Sequence, residues 1–285
     1  MKTAIIGAGE MGRWLAKFSK RLGEIIVSDV NRSKARKLAA ELKAKTAPAR
    51  KAAAEADMIF IAVPISATPK VLMEVAEEAK SGALITDVAS VKLEAVKAME
   101  RIKKDVELVS IHPLFGPGAS SLKNKDMVVV PVRPGKRYQK LKEFFIRSGA
   151  RIIEMDAELH DRTMAVVQCL SHFVLLSYIR ALRSLNGGKV SRRMRTPMFS
   201  ALVELAKAAS AGRPELYLEI QQQNKYSKLV RQSTIEAFHS LNALLAKGDL
   251  KAVRAVVGEA VTLFGKDEVK RAYADLYRRF EGERA

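Results

Sequence analysis

Residues 2–12 read Lys-Thr-Ala-Ile-Ile-Gly-Ala-Gly-Glu-Met-Gly, and they decide the fold of this chain. The stretch begins as a short apolar strand, Lys2–Ile6, and continues into the glycine pattern G-x-G-x-x-G at 7–12. An amphipathic helix follows, and a second strand, Glu24–Ser28, ends at Asp29. The order strand, glycines, helix, strand and acid is the fingerprint of a dinucleotide-binding βαβ unit.

The residues of the glycine motif have separate expected roles. Gly7 allows a tight turn, Gly9 lets the backbone approach a pyrophosphate, and Gly12 lets the helix pack closely on the strand. Glu10 and Met11 open the helix, whose free N–H groups and dipole favour an anion. We therefore expect all five residues to contribute to a cofactor site.

The acid at the end of the second strand bears on which dinucleotide is bound. Asp29 would accept hydrogen bonds from the adenosine ribose hydroxyls and would repel a 2′-phosphate, which favours NAD. Arg32, Lys34 and Arg36 follow closely. An arginine near such an acid, here Arg32, can accommodate the 2′-phosphate, so NADP is the alternative.

Further strands and helices alternate as far as residue 155. The predicted strands are Asp57–Val63, Ala83–Asp87, Met127–Val130 and Arg151–Met155. Val63 and Pro64 end the first of these at the carboxyl edge of the predicted sheet, where such folds bind ligands, so we assign them to the cofactor site. The alternation predicts an α/β fold with a Rossmann-type doubly wound parallel sheet, and residues 1–155 are the predicted dinucleotide-binding domain.

The pattern changes from Asp156 onward, where apolar residues recur at helical spacing. Helices are predicted near 157–185, 190–210, 214–246, 249–264 and 267–281, with glycine and proline between several of them. Residues 156–285 are therefore predicted to form an all-helical second domain. We expect this domain to supply the substrate pocket and a homodimer interface.

Composition limits the class of protein. The chain has 285 residues, of which 48% are hydrophobic, and no run of eighteen uncharged apolar residues, so no membrane association is expected. Cys169 is the only cysteine, which excludes an intramolecular disulfide and a multi-cysteine metal site, and no metal site is predicted. The first residues do not resemble a secretory leader, so the expected location is cytoplasmic.

The formal net charge of +19 raises the question of a nucleic-acid partner. The basic excess is spread over both halves of the chain, and only 6% of the residues are aromatic, without the aromatic-basic interleaving that stacks bases. We therefore expect no nucleic-acid partner. A local group of arginines and lysines at 180–195 is either a solvated helix face or a rim that attracts anions.

Residues 111–118, Ile-His-Pro-Leu-Phe-Gly-Pro-Gly, contain the strongest candidate for chemistry. Two prolines and two glycines predict a stiff, bent loop with His112 at its mouth. Histidine is the side chain whose ordinary pKa best suits proton transfer near neutral pH. Downstream of a nucleotide fold, it suggests an enzyme that removes a hydride and a proton from one alcohol. The alternative is a rigid structural turn.

Five motifs point in the same direction. They are G-A-G-E-M-G at 7–12, D-V-A-S-V-K at 87–92, H-P-L-F-G-P at 112–117, H-D-R-T-M-A-V-V-Q-C-L-S-H-F at 160–173 and P-E-L-Y-L-E-I-Q at 214–221. With them the chain resembles the prephenate dehydrogenase family of tyrosine biosynthesis, in its archaeal or bifunctional-enzyme form without a chorismate mutase helix before Lys2. The resemblance implies oxidative decarboxylation of prephenate, a small dicarboxylate, to 4-hydroxyphenylpyruvate, with hydride transfer to NAD(P).

The resemblance also implies roles for three residues. His112 matches the histidine that takes up the proton of the C4 hydroxyl of prephenate, and Ser90 matches the serine that orients this hydroxyl and the histidine. His172 matches a second histidine of the substrate pocket. By contrast, His160 is expected to cap a helix or form an ion pair, and Asp161 is expected to pair locally with its neighbour Arg162.

One position departs from the family pattern. The family has an arginine that binds a substrate carboxylate where this chain has Ala208. The replacement is expected among nearby basic residues of the same or a neighbouring subunit, namely Arg193, Arg195, Lys207 and Arg213. We favour Arg213, which stands between a glycine and a proline at a helix junction, and we place Arg195 with it in the substrate site.

Three other interpretations compete with this one. Arogenate differs from prephenate only by an amine on the side chain, so an arogenate dehydrogenase fits the same motifs. A β-hydroxyacid dehydrogenase is disfavoured, because that family uses a catalytic lysine on its first interdomain helix and no lysine occurs between Arg151 and Arg183. A non-catalytic NAD(P)-sensing regulator is disfavoured by the presence of both His112 and Ser90.

Overall fold

The computed structural model of this chain describes residues 1–187 and 194–282. The chain forms two compact units. The first unit comprises Met1–Met164 and Gln222–Lys225, and the second comprises Ala165–Gln221 and Tyr226–Ala285. All described strands belong to the first unit, which therefore carries the predicted cofactor residues.

The first unit is built on one eight-stranded sheet. Its strands in chain order are β1 (Lys2–Ile6), β2 (Glu24–Ser28), β3 (Lys45–Thr46), β4 (Met58–Ile61), β5 (Leu84–Asp87), β6 (Glu107–Pro113), β7 (Lys125–Arg133) and β8 (Ala150–Glu154). Their order across the sheet is β3-β2-β1-β4-β5-β6-β7-β8. The first six strands run parallel, so the predicted Rossmann-type fold is confirmed.

The far side of the sheet differs from the all-parallel prediction. β7 runs antiparallel to β6, and β8 runs parallel to β7. Antiparallel neighbours need no crossover helix, so a loop is sufficient to connect β6 to β7. The sequence interpretation missed β6 as a strand. His112 is its next-to-last residue and lies opposite Val128, so strand pairing holds this histidine.

The loop after β6 is fixed in a different way from the one predicted. Neither Gly116 nor Gly118 adopts a positive φ, so the glycines do not supply a left-handed bend. Instead, Trp14 Nε1 donates a hydrogen bond to the carbonyl oxygen of Ala119 at 2.7 Å, and the Phe115 ring packs edge-on against the indole. Aromatic packing and this hydrogen bond therefore hold the loop.

Helices cover both faces of the sheet. In the first unit they are α1 (Glu10–Ser19), α2 (Arg32–Leu42), α3 (Ala49–Glu55), α4 (Thr68–Glu78), α5 (Leu93–Arg101), α6 (Lys136–Arg147) and α7 (Ala157–Met164). Short 3-10 turns occupy Lys20–Leu22 and Ile65–Ala67. Ile5 belongs to one large buried apolar cluster, and its neighbours Ala4 and Ile6 belong to a second one. Since side chains alternate along a strand, the two clusters lie on opposite faces of the sheet.

The second unit is helical throughout its described residues. A π-helical segment, Ala165–Leu170, continues into α8 (Ser171–Ser184), and α9 (Pro197–Ser210), α10 (Pro214–Gln223), α11 (Ser227–Lys247), α12 (Leu250–Phe264) and α13 (Lys266–Gly282) follow. The helix predicted at 190–210 begins only at Pro197, with Thr196 as its N-cap, and residues 190–193 lie outside the described residues. The helix predicted at 214–246 is two helices, because a turn at 224–226 interrupts it.

One helical run has an unusual surface. Ala157–Ser184 spans 28 residues and contains an 18-residue window with a mean hydropathy of 1.5, of which only 11% is buried within the chain. This length and composition fit a helix that crosses a membrane, and they equally fit a helix that packs against another protein chain. The exposed apolar residues of the run include Val166, Val167 and Leu176.

Candidate active site

The turn between β1 and α1 requires glycine at two positions. Gly7 has a φ of +108°, and a Cβ on it would lie 2.2 Å from the carbonyl oxygen of Ala62. A Cβ on Gly12 would lie 1.8 Å from the carbonyl oxygen of Gly7. Gly9 is the N-cap of α1 and has no side chain to cap the first turn. The free N–H groups of that turn, which begins at Glu10, therefore fit the phosphates of a dinucleotide.

Asp29 follows β2, the strand that pairs with β1. Its Oδ2 accepts a hydrogen bond from the backbone N–H of Ala8 and its Oδ1 accepts one from the N–H of Asn31, both at 2.7 Å. A carboxylate offers about four acceptor positions, so both oxygens keep room for a ribose hydroxyl. Arg32 opens α2 nearby and is exposed.

The remaining predicted cofactor residues lie on the other side of β1. Val63 and Pro64 follow β4, which pairs with β1 on the side opposite β2. Val63 is half-buried and Pro64 is exposed. The strand order changes direction between β1 and β4, and such a switch point opens the crevice in which α/β sheets bind ligands.

The predicted catalytic histidine is the first member of a chain of three buried side chains. The Nδ1 of His112 lies 2.9 Å from the Nε2 of His160, and the Nδ1 of His160 lies 2.7 Å from the Oδ1 of Asp161. Asp161 also accepts hydrogen bonds from the backbone N–H groups of Lys92 and Leu93, at 2.8 and 3.1 Å. The helix α7 thus brings two further titratable groups to His112.

A buried ion pair lies beside β6, the strand that carries His112. The Nζ of Lys92 donates to the Oδ1 of Asp87 at 3.0 Å and to the carbonyl oxygen of Ile111 at 2.5 Å, and neither charged side chain is exposed. The other oxygen of Asp87 accepts a short hydrogen bond from Ser110. Because Ile111 directly precedes His112, this lysine holds the backbone of the histidine strand.

Burial governs the protonation of these groups. It is the largest cause of a His112 pKa well below the ordinary range, and repulsion from His160 and Lys92 adds to it. Burial also lowers the pKa of His160 and that of Lys92. His112 is therefore a neutral imidazole at neutral pH, which is the form that can accept a proton.

Ser90 lies in the loop between Asp87 and Lys92 and is half-buried. Among the residues that the structure describes, it forms no hydrogen bond with the His112 ring. The backbone of the loop is held by the N–H of Ala89, which donates to the Oδ1 of Asp87 at 2.8 Å. The hydroxyl of Ser90 is thus available to a ligand.

His172 lies in the second unit, on α8, and is half-buried. Its ring packs edge-on against Tyr217 of α10, with 4.5 Å between the ring centroids. Its buried Nδ1 has no hydrogen-bond partner among the described residues. Burial lowers the pKa of His172. The ring is therefore held by an aromatic contact and keeps its polar atoms for another partner.

The basic candidates for carboxylate binding lie in the same unit. Arg195, Lys207 and Arg213 are exposed, and Arg193 lies outside the described residues. Arg213 Nε lies 3.9 Å from a carboxylate oxygen of Glu215 in an exposed, loose pair. Within the described part of the chain, no hydrogen bond or ion pair joins Lys207 or Arg213 to His172.

Two family models match consecutive parts of the chain. The model described as prephenate dehydrogenase, nucleotide-binding domain, matches residues 15–154, and the model described as prephenate dehydrogenase, dimerization domain, matches residues 156–259. The chain belongs to the prephenate dehydrogenase family. The glycine motif at 7–12 precedes the matched residues, so its role in nucleotide binding rests on the geometry of the turn.

Curated relatives agree with this family. A protein of Methanocaldococcus jannaschii named probable arogenate/prephenate dehydrogenase is 30% identical over 278 residues, which are 95% of this chain and 62% of the relative. The chain therefore spans less than two thirds of that relative's length. A 4-amino-4-deoxyprephenate dehydrogenase of Streptomyces pristinaespiralis is 27% identical over 95% of this chain and 94% of its own.

A solved structure shows the same fold. The prephenate dehydrogenase of Aquifex aeolicus, in complex with hydroxyphenyl propionate and NAD+, superposes with a TM-score of 0.71 over 96% of this chain and 98% of its own. The two sequences are 21% identical. At that identity the likeness concerns the architecture.

Three residues of the network were not assigned to the site from the sequence. His160 was expected to act locally, yet it contacts the catalytic candidate 48 residues away. Asp161, expected to pair with Arg162, instead accepts hydrogen bonds from His160 and two backbone N–H groups. Lys92 is the last residue of the D-V-A-S-V-K motif at 87–92, and the sequence alone assigned no role to it. These residues could have been found from the joint presence of two motifs, D-V-A-S-V-K at 87–92 and the dipeptide His160-Asp161 at the start of a predicted helix.

Proposed function

We propose that this chain is an NAD-dependent dehydrogenase that converts prephenate to 4-hydroxyphenylpyruvate and CO2, with His112 as the catalytic base. The observation that carries the proposal is the buried His112, which lies on the same sheet as the glycine turn and contacts His160 of α7, in a member of the prephenate dehydrogenase family. Burial lowers the pKa of His112, so its ring is in the form that can accept a proton. NAD+ bound to the Aquifex relative supports the choice of cofactor.

In this mechanism the protein supplies a base, orientation and charge. NAD held at the β1–α1 turn and by Asp29 would supply the acceptor for the hydride that leaves C4 of the substrate ring. His112 takes up the proton of the C4 hydroxyl, which raises the electron density at C4 and helps to expel the hydride. Ser90 orients the hydroxyl, and His172 is a further substrate-binding residue in this proposal. Loss of CO2 then gains ring aromaticity and needs little help from the protein.

Arogenate is the second candidate substrate, and the names of the relatives favour it equally. The Methanocaldococcus protein carries both substrates in its name. The absorbance of reduced nicotinamide, followed with prephenate or arogenate and with NAD or NADP, separates the four combinations. We expect the highest kcat/KM for prephenate with NAD. Turnover of arogenate alone would replace the substrate assignment and leave the reaction class unchanged.

The position of Asp29 leads to a prediction about the cofactor. We expect the wild type to prefer NAD, because the Asp29 carboxylate binds ribose hydroxyls and repels a 2′-phosphate. In Asp29→Ala, the KM for NAD should rise and the KM for NADP should fall, since Arg32 can then meet the phosphate. Initial rates with both cofactors measure this, with Lys45→Ala, on the β3 edge, as a control. A wild type that prefers NADP would make Arg32 the main determinant.

A second prediction concerns the carboxylate partner, for which we propose Arg213. Tyr217 donates from its hydroxyl to the carbonyl oxygen of Ala209 at 2.5 Å and also contacts His172. A Cβ on Gly212 would lie 2.6 Å from that hydroxyl, so the turn that carries Arg213 is tightly constrained. One aromatic side chain thus joins the pocket histidine to the arginine turn.

We expect Arg213→Ala to raise the KM for prephenate about 10- to 100-fold, because a hydrogen bond to a charged group contributes roughly 1.5–3 kcal/mol. The affinity for NAD should stay unchanged. Arg193→Ala, Arg195→Ala and Lys207→Ala are tested in parallel, and Arg254→Ala on α12 is an exposed control. If all variants keep the wild-type KM, another group binds the carboxylate or prephenate is not the substrate.

We also propose that the enzyme is a cytoplasmic homodimer. The second family model is described as a dimerization domain, and the second unit exposes apolar residues such as Leu218, Leu263 and Phe264. A partner chain would cover such residues, including those of the apolar run Ala157–Ser184. Light scattering should give twice the mass of the 31.4 kDa chain without detergent. A requirement for detergent would favour a membrane location.

A further inference from the structure

We propose that His160 and Asp161 determine which ring nitrogen of His112 carries its proton, and that the basic nitrogen of His112 is therefore Nε2. The inference rests on the proposed function and deepens it, because it names the atom that takes up the substrate proton. Asp161, His160 and His112 form a chain of hydrogen bonds. Because the Asp161 carboxylate can only accept, it determines which atom donates at each later contact.

The fixed end is the Asp161 carboxylate. A backbone N–H can only donate, so the N–H groups of Lys92 and Leu93 identify both oxygens of Asp161 as acceptors. The Nδ1 of His160 lies 2.7 Å from Oδ1, one of these oxygens. The Nδ1 of His160 therefore carries a proton and donates it to the carboxylate.

The contact between the two rings has a single donor and a single acceptor. A neutral imidazole has one N–H and one lone pair. Burial is the main cause that lowers the pKa of both His160 and His112, so both rings are neutral at neutral pH. With its proton on Nδ1, His160 offers a lone pair at Nε2, 2.9 Å from the Nδ1 of His112. His112 must then donate from Nδ1, which leaves its lone pair on Nε2.

This arrangement gives the base a single form. A histidine without such a partner exchanges between two tautomers, and only one of them presents its lone pair on the required nitrogen. When Nε2 of His112 takes the hydroxyl proton, the resulting imidazolium keeps its Nδ1–H bond to His160, and the Asp161 carboxylate lies behind that ring. The other charged groups of the region, Lys92 and Asp87, pair with each other. His160 and Asp161 are thus positioning residues.

Nitrogen-15 NMR of the chain labelled at its four histidines reads the tautomer without any substrate. We expect His112 and His160 both to be protonated at Nδ1 and unprotonated at Nε2, the opposite of the form that free histidine prefers in water. The signals are assigned by their loss in His112→Asn and His160→Phe. His239→Asn, exposed on α11, is the control that leaves both unchanged. A wild-type His112 protonated at Nε2 would overturn the proposal.

Kinetics provide a second readout. His160→Phe keeps a flat ring but removes the acceptor, whereas His160→Gln supplies an amide oxygen that can still accept. We expect kcat to fall about 10- to 100-fold in His160→Phe with an unchanged KM for NAD, and to recover in part in His160→Gln. Equal losses in both variants, or an unchanged His112 tautomer in His160→Phe, would contradict the proposal. A wild type without activity on prephenate would remove the proposed function and leave the NMR result intact.

Discussion

His112→Asn should lower kcat for prephenate about 10²–10⁴-fold, the usual contribution of general acid–base catalysis. Asparagine keeps a polar side chain in the strand but cannot take up a proton at neutral pH. The KM for NAD should barely change, because the proposed cofactor contacts lie at the β1–α1 turn and at Asp29. Steady-state kinetics with saturating NAD measure both quantities.

The pH dependence gives an independent check on this histidine. A base works while it is unprotonated, so the activity of the wild type should fall as the pH drops through the pKa of His112. Burial holds that pKa well below its ordinary value of 6.5, so kcat/KM should stay high down to below pH 6.5. The fall in activity at low pH should vanish from the pH profile of His112→Asn. Ser90→Ala should lose less activity than His112→Asn, and its pH profile should still fall at low pH. Near-full turnover in His112→Asn would refute the catalytic assignment.

Lys92→Met should destabilise the first unit by about 3–5 kcal/mol, because removing one partner of a buried ion pair leaves the other charge unpaired. The variant leaves the Asp87 carboxylate buried and removes the donor to the Ile111 carbonyl. A loss of this size lowers Tm by roughly 10 °C in a domain of this length. Thermal unfolding followed by circular dichroism measures the shift.

Two further variants identify the cause. Lys97→Met removes an exposed lysine that pairs with Glu94 on α5, and it should leave Tm nearly unchanged. Asp87→Asn combined with Lys92→Met removes both charges, so it should regain part of the lost stability. A single Lys92→Met variant as stable as the wild type would show that the buried pair contributes little to the fold.

Local pattern was enough to predict the nucleotide-binding half of the sheet. The strands at Lys2–Ile6 and Glu24–Ser28 were predicted with the bounds that the structure has, because apolar runs ended by glycine or acid mark buried parallel strands. The antiparallel pairing of β6 and β7 was not predictable from the same rule, since strand direction depends on partners distant in the sequence. The break between α10 and α11 depends on tertiary contacts too, for Asn224 donates to the carbonyl oxygen of Asp161 at 2.7 Å.

The candidate site shows the same division between local and distant information. His112 stands in a conspicuous motif, and the sequence was sufficient to select it. The roles of His160 and Lys92 depend on burial, and histidine and lysine give no local sign of it, lysine being among the residues least often buried. Only the packing of α7 against α5 and the sheet brings them to the strand that carries His112.

The central claim, oxidative decarboxylation of prephenate by this chain, is tested most directly by the balance of its products. The purified protein is incubated with prephenate and excess NAD, and reduced nicotinamide, CO2 and 4-hydroxyphenylpyruvate are measured in the same sample. We expect the wild type to form equal amounts of all three, and His112→Asn to form almost none. Reduced nicotinamide without CO2, or no turnover of prephenate with either cofactor, would contradict it.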